Sequence, residues 1–96
     1  MVINFLSEQF TLSGGYYYSP AFKQDEKDVL VSVAVWLSEN GTASIQASLN
    51  ETDWVPVENT SFTCSTSGLQ TYTDCHYGLV YRLKIDKLPI KSSILI

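Results

Sequence analysis

Apolar and polar positions alternate with a period of two along most of the chain, which predicts strands rather than helices. In "VLVSVAVWL" the odd positions Val29, Val31, Val33, Val35 and Leu37 form an unbroken apolar row. In the following segment Ala43, Ile45, Ala47 and Leu49 alternate with Thr42, Ser44, Gln46 and Ser48. Between them lies "SENGT", whose Asn40-Gly41 pair suggests a two-residue hairpin turn. Such a turn pairs Glu39 with Thr42 and therefore sets Val35 beside Gln46, apolar face against polar face. A three-residue loop, Glu39-Asn40-Gly41, restores the match. It pairs Leu37 with Ala43, Val35 with Ile45, Val33 with Ala47 and Val31 with Leu49, and it predicts a left-handed Gly41.

Further short β-rich runs, "DWVPV", "SFTC", "LQTYT", "LVYRLKI" and "SSILI", are separated by polar turn segments. In "LVYRLKI" Leu79, Tyr81, Leu83 and Ile85 share one face, with Val80, Arg82 and Lys84 on a wet one. Upstream, "FTLSGGYYYSPAF" reads as an edge strand, a glycine turn and an aromatic extension closed by Pro20. The best helical candidate is one turn at "QDEKD", residues 24 to 28. These runs predict an all-β fold, a small antiparallel β-sandwich or jelly roll.

Length and composition narrow the picture. At 96 residues, 45% hydrophobic and 17% charged, the chain is expected to form a single domain, residues 1–96, around one core. The net charge of −4 and the scattered basic residues argue against nucleic-acid binding. The longest apolar run is too short to span a bilayer, so no membrane association is expected. "MVINFLSEQFTL" lacks the basic and apolar regions of an export signal, which predicts synthesis in the cytoplasm.

Few residues offer chemistry, and neither an enzyme nor a cofactor or metal site is expected. Trp54 follows the turn "NETD" and precedes Pro56, which places it at a sheet edge. Trp54 and Tyr72 are candidates for a ligand surface, although an indole after a tight turn is expected to cap the open end of the core. Asn50, Glu51 and Asp53 lack the ligand offsets of a calcium loop and read as solvated turn residues. Cys64 and Cys75 are a possible disulfide pair, but without an export signal free thiols are expected. Adjacent to Cys75, His76 points to the opposite strand face and makes a poor base for it, and no fourth zinc ligand accompanies the three. Sequons at Asn40, Asn50 and Asn59 mark surface turns.

Leu30, Ala34 and Trp36 make the even face of "VLVSVAVWL" apolar as well, although a chain this short has one core to bury. That second face is expected to be covered either by the tyrosine-bearing amino-terminal segment or by another subunit. Tyr16 and Tyr18 share a face by parity, with Tyr17 opposite, and join Leu30, Ala34 and Trp36 as candidate interface residues.

"GTASIQASLNETDW" and "YRLKI", with the Pro-containing turn and last strand that follow, resemble a pattern in small all-β proteins of bacteriophages and prophages. The resemblance covers about residues 29–96, with Asn50-Glu51 where such proteins often carry Asp-Gly. It implies a virion structural or accessory protein, such as a head-decoration, neck or tail component, that contacts other virion proteins and assembles as a homo-oligomer. The alternative is a carbohydrate-binding or adhesin module acting on a glycan through Trp54 and the tyrosines.

Overall fold

The computed structural model describes residues 1–23, 30–72 and 79–96. The turn expected at 24 to 28, Val29, Cys75, His76 and Tyr77 lie outside the described residues. The strands are β1 (Val2–Leu6), β2 (Thr11–Ser13), β3 (Tyr16–Tyr18), β4 (Phe22–Lys23), β5 (Val31–Leu37), β6 (Gly41–Ser48), β7 (Val55–Pro56), β8 (Phe62–Cys64), β9 (Ser67–Tyr72), β10 (Val80–Ile85) and β11 (Pro89–Leu95). A 3-10 turn at Ser7–Gln9 follows β1. Among the described residues no helix is long and apolar enough to cross a membrane.

Two antiparallel sheets pack face to face. Sheet I has the order β1-β11-β5-β9, and sheet II the order β2-β3-β10-β6-β7, with β4 also paired to β10 and β8 to β6. β3 and β4 occupy one lane beside β10, and β7 and β8 one lane beside β6. The layers β1-β11-β5-β9 and β3/β4-β10-β6-β7/β8 are therefore those of a jelly roll, with β2 added as an outer hairpin strand. The expected all-β sandwich is the observed fold.

The alternation places the core correctly. Val31, Val33, Val35 and Leu37 of β5, Ala43, Ile45 and Ala47 of β6, and Tyr81, Leu83 and Ile85 of β10 are buried in one cluster with Phe5, Phe22 and Ile94. Leu49 departs from the expectation. It lies one residue beyond β6 and is 87% exposed, because the strand ends at Ser48 and the chain turns away.

The expected β5–β6 hairpin does not form. β5 pairs with β11 and β9 in sheet I, while β6 pairs with β10, β7 and β8 in sheet II. The two apolar rows face each other across the core instead of lying side by side. Both arrangements bury the same residues, so side-chain parity alone does not separate them. Gly41 accordingly has no left-handed backbone; among the described residues the glycines with positive φ are Gly14 and Gly15, at 59° and 86°. These two close the β2–β3 hairpin, where Ser13 pairs with Tyr16 across a two-residue turn. Gly41 serves by its size: a Cβ there would stand 2.8 Å from both Asp86 Oδ1 and Leu37 Cδ1.

Hydroxyl groups mend the breaks in the two interrupted lanes. At the β3–β4 break Ser19 Oγ accepts the Leu83 N–H at 2.9 Å. At the β7–β8 break Thr60 Oγ1 accepts the Ile45 N–H at 3.0 Å and donates to the Val57 carbonyl at 2.8 Å. Both spare the central strands β10 and β6 an unpaired amide inside the sandwich. Ser92 is the counter-example: it is fully buried on β11, and its hydroxyl has no hydrogen-bond partner among the described residues.

Thr60→Val, which keeps the shape but leaves the Ile45 amide unpaired, is expected to destabilise the fold by about 1–3 kcal/mol in urea titration. Ser92→Ala is expected to act in the opposite direction, raising stability by about 1 kcal/mol by removing a desolvated hydroxyl. A lower urea midpoint for Ser92→Ala would show that the hydroxyl is satisfied in solution.

Candidate functional site

The jelly roll leaves two outer faces of different character, and the candidate residues divide between them. On sheet I the outward rows are Val2, Asn4 and Leu6 of β1, Lys91, Ser93 and Leu95 of β11, Ser32, Ala34 and Trp36 of β5, and Ser67, Leu69 and Thr71 of β9. Val2, Leu6, Leu69 and Leu95 are between 50% and 72% exposed, and Leu30, just before β5, is also exposed. Ala34 and Trp36 sit half-buried among them, with Lys91 Nζ 4.8 Å above the Trp36 ring. The polar members pair with one another: Ser93 Oγ donates to Asn4 Oδ1 at 2.6 Å, and the Ser32 and Thr71 hydroxyls are 3.0 Å apart.

Tyr16 and Tyr18 lie on the other side of the molecule. Tyr18 pairs with Lys84 and Tyr17 with Ile85 in sheet II, so Tyr18 faces outward and Tyr17 packs against the core. The tyrosine-bearing segment therefore extends sheet II and does not cover the apolar face of sheet I. The five candidate interface residues belong to two opposed surfaces, not one.

Trp54 is likewise not a cap on the core. It precedes the edge strand β7, and its ring lies over the outer face of sheet II, 4.3 Å from the Arg82 guanidinium carbon. The Tyr18 ring, from the β3 lane on the other flank of β10, stands 4.0 Å from the same guanidinium carbon. Arg82 is thus clasped between two aromatic rings, and its Nε–H donates to Gln46 Oε1 at 2.8 Å. A second pair continues the motif, with Lys84 Nζ 4.1 Å above the Tyr16 ring. Burial lowers the Arg82 guanidinium below its ordinary value, with Tyr18 pushing the other way; the group stays cationic at neutral pH.

Tyr72 drops out of the ligand surface. It is buried, and its hydroxyl donates to the Thr60 carbonyl at 2.6 Å, which ties the edge of sheet I to the β7–β8 break. The "NETD" turn is closed by its own side chains: Asn50 Oδ1 accepts the Thr52 and Asp53 amides at 2.9 Å, and Asn50 Nδ2 donates to Asp53 Oδ2 at 2.9 Å. Among the described residues no group of three or more His, Cys, Asp or Glu side chains is placed to hold a metal ion. The sequon residues Asn40, Asn50 and Asn59 are all exposed in turns or links between strands.

Clefts open on the surface among the described residues. One of about 400 Å³ is lined by Ala47, Leu49, Val55 and Leu79 beside the "NETD" turn. A second of about 460 Å³ lies near Glu39, Asp86 and Lys87, where Lys87 and Glu39 form an exposed ion pair at 3.7 Å that contributes little. A third, of about 380 Å³, is lined by Thr11, Ser13, Tyr18, Ser19 and Arg82. Arg82 and Gln46 were not singled out by the sequence, although strand parity set Arg82 on a wet face. Its two aromatic neighbours come from β3 and from the turn before β7, far apart in the chain, and only the fold brings them together.

Fold and surface define a small jelly-roll sandwich with one apolar and one cation–aromatic outer face. No family model, curated protein or solved structure matches the chain.

Cys64, the expected free thiol, is fully buried on β8. Burial, and secondarily the charge of Asp86, raises its pKa. The folded thiol resists ionisation while the unfolded one ionises at its ordinary value, so the contribution to stability is present below that value and is lost as pH rises above it. In a Cys75→Ser background, raising the pH from about 7 to 10 is expected to lower the urea midpoint more for Cys64 than for Cys64→Ala. Parallel pH profiles would contradict this.

Proposed function

We propose that this protein is a non-enzymatic virion structural or accessory component that works through protein–protein contacts, using the outer face of sheet I to pack against a second copy of itself. The observation that carries this reading is the cluster of exposed aliphatic side chains, Val2, Leu6, Leu69 and Leu95, around Ala34 and Trp36 on one outer face. The core is already filled from the other side of the same strands, and the amino-terminal tyrosines that were the intrachain candidates for covering this face belong to sheet II. An apolar patch of this kind marks an interface.

Charge supports a second copy as the occupant. β1, β5, β9 and β11 carry no acidic residue, so the surplus negative charge of the chain lies elsewhere. The cation on these strands, Lys91, is drawn over Trp36. Two such faces can meet without opposing carboxylates, and an isologous pairing needs only this self-complementary patch. The virion setting rests on the resemblance of residues 29–96 to phage proteins; jelly rolls serve both capsid and lectin roles, so the fold is compatible with it without selecting it.

Sedimentation velocity tests the contact. The wild type is expected to self-associate, and Leu69→Glu or Trp36→Glu to give a folded monomer by setting an unpaired charge in the interface. Leu69 is the cleaner probe because it is 72% exposed on an edge strand and contributes little to the fold. A wild type that stays monomeric at high concentration, or variants that still associate, would overturn the reading.

A further inference from the structure

Arg82 is the one arginine in the chain, and it is held more tightly than its surroundings require. Its guanidinium carbon lies over the Tyr18 and Trp54 rings, 4.0 and 4.3 Å from their centroids, and Gln46 Oε1 takes its Nε–H at 2.8 Å. These contacts hold the guanidinium in place. They leave its outer edge, the Nη1 and Nη2 donors, without a protein acceptor among the described residues; no carboxylate pairs with it. A guanidinium presents its donors as a rigid fork matched to an oxyanion, and carboxylate pairing is its usual fate when partly buried. Here the orienting groups are present, and no described carboxylate takes the fork.

The surroundings suit a polar, negatively charged ligand. The cleft beside Arg82, about 380 Å³, lies within the range of small-molecule sites and is lined by the Thr11 and Ser13 side chains as well as Tyr18. Ser19, also in its wall, is already committed to Leu83 and Pro20. Lys84 stands next along β10 and adds a second positive charge on the same face, while β2, β3, β6 and β10 contribute no acidic residue to it. A neutral sugar stacking on Trp54 and Tyr18 would have to displace the guanidinium from between their rings; an anion meeting its free edge displaces nothing.

We propose that the outer face of sheet II is an oxyanion-binding site in which Arg82, clasped by Tyr18 and Trp54 and oriented by Gln46, receives a carboxylate or sulfate group end-on through Nη1 and Nη2. Thr11 and Ser13 line the cleft for any hydroxyl groups the acid carries. The aromatic clasp holds the fork in place before the ligand arrives, so less of the binding energy is lost to ordering the side chain. This site is independent of the assembly face on sheet I, which lies on the opposite side of the sandwich.

Because Arg82 is the one arginine, its Nε–H gives a single assignable signal in a proton–nitrogen correlation spectrum of the intact protein. Sodium sulfate and sodium glucuronate, titrated against sodium chloride at matched ionic strength, are expected to shift that signal and the Trp54 indole signal saturably, while glucose leaves both unchanged. Arg82→Gln, followed through the Trp54 indole, is expected to weaken binding about tenfold or more. Arg82→Lys keeps the charge but loses the fork, and is expected to weaken it by a comparable factor. Unchanged backbone amide signals remote from the site identify folded variants; should Arg82→Gln fail to fold, Arg82→Lys carries the test. Glucuronate binding tighter than acetate and sulfate would support a saccharide as the carrier of the charge, and equal binding would support a free oxyanion; both support the site. No saturable shift beyond that of chloride, or full binding by Arg82→Lys, would overturn it and leave the aromatic clasp as a purely structural contact.

Discussion

The fold depends on one packing event, the closure of the β5 valine row onto the inward faces of β6 and β10. Each of these side chains contributes about 1.5–3 kcal/mol when fully withdrawn from water, and they supply the centre of a cluster that reaches from Phe5 to Ile94. Because β5 lies in one sheet and β6 and β10 in the other, the same contacts that fill the core also hold the two sheets together. The chain must then cross repeatedly from sheet to sheet. Two lanes of sheet II are broken, and the polar cost of those breaks is met locally by Ser19 and Thr60.

Filling the core from both sheets fixes what remains outside. With a period of two, every strand that sends valine or leucine inward must send its intervening residues outward, so the outer faces are determined by the residues the core did not use. On sheet I those residues are uncharged apart from Lys91, with aliphatic side chains set among Ser, Thr and Asn. On sheet II they are Tyr16, Tyr18, Gln46, Arg82 and Lys84, and the ring–cation contacts they form, worth about 0.5–2 kcal/mol each, organise the surface without adding to the core. One molecule thus presents a face with exposed aliphatic side chains and, back to back with it, a polar face whose guanidinium has no carboxylate partner among the described residues.

Much of this was legible in advance, and the limits fall at identifiable places. Strand alternation located Val31 to Leu37, Ala43 to Ala47 and Tyr81 to Ile85 in the core. Pro56 marked an edge strand, and Gly14-Gly15 marked a turn. The failures share a cause. The β5–β6 hairpin was drawn from parity, yet parity is equally met by strands facing each other across a core; Gly41 looked like a turn residue but is required because Asp86 and Leu37 leave no room for a Cβ. Tyr72 looked available and is buried, since its hydroxyl finds the Thr60 carbonyl in another sheet.

The sequence by itself determined the strand class, the inward and outward faces of β5, β6 and β10, and the scarcity of catalytic groups, because these follow from the local pleat and from residue chemistry. Only the tertiary structure decided which strands are neighbours, which of the apolar outward residues gather on one surface, and that Trp54 meets Arg82 rather than the core. Those relations join residues tens of positions apart, and local alternation carries no information about which distant strand will lie alongside: each strand offers the same ladder of amides and carbonyls to any partner. The choice among partners was made by the volume of the shared core and by close approaches such as that at Gly41, which exist only once both sheets are in place.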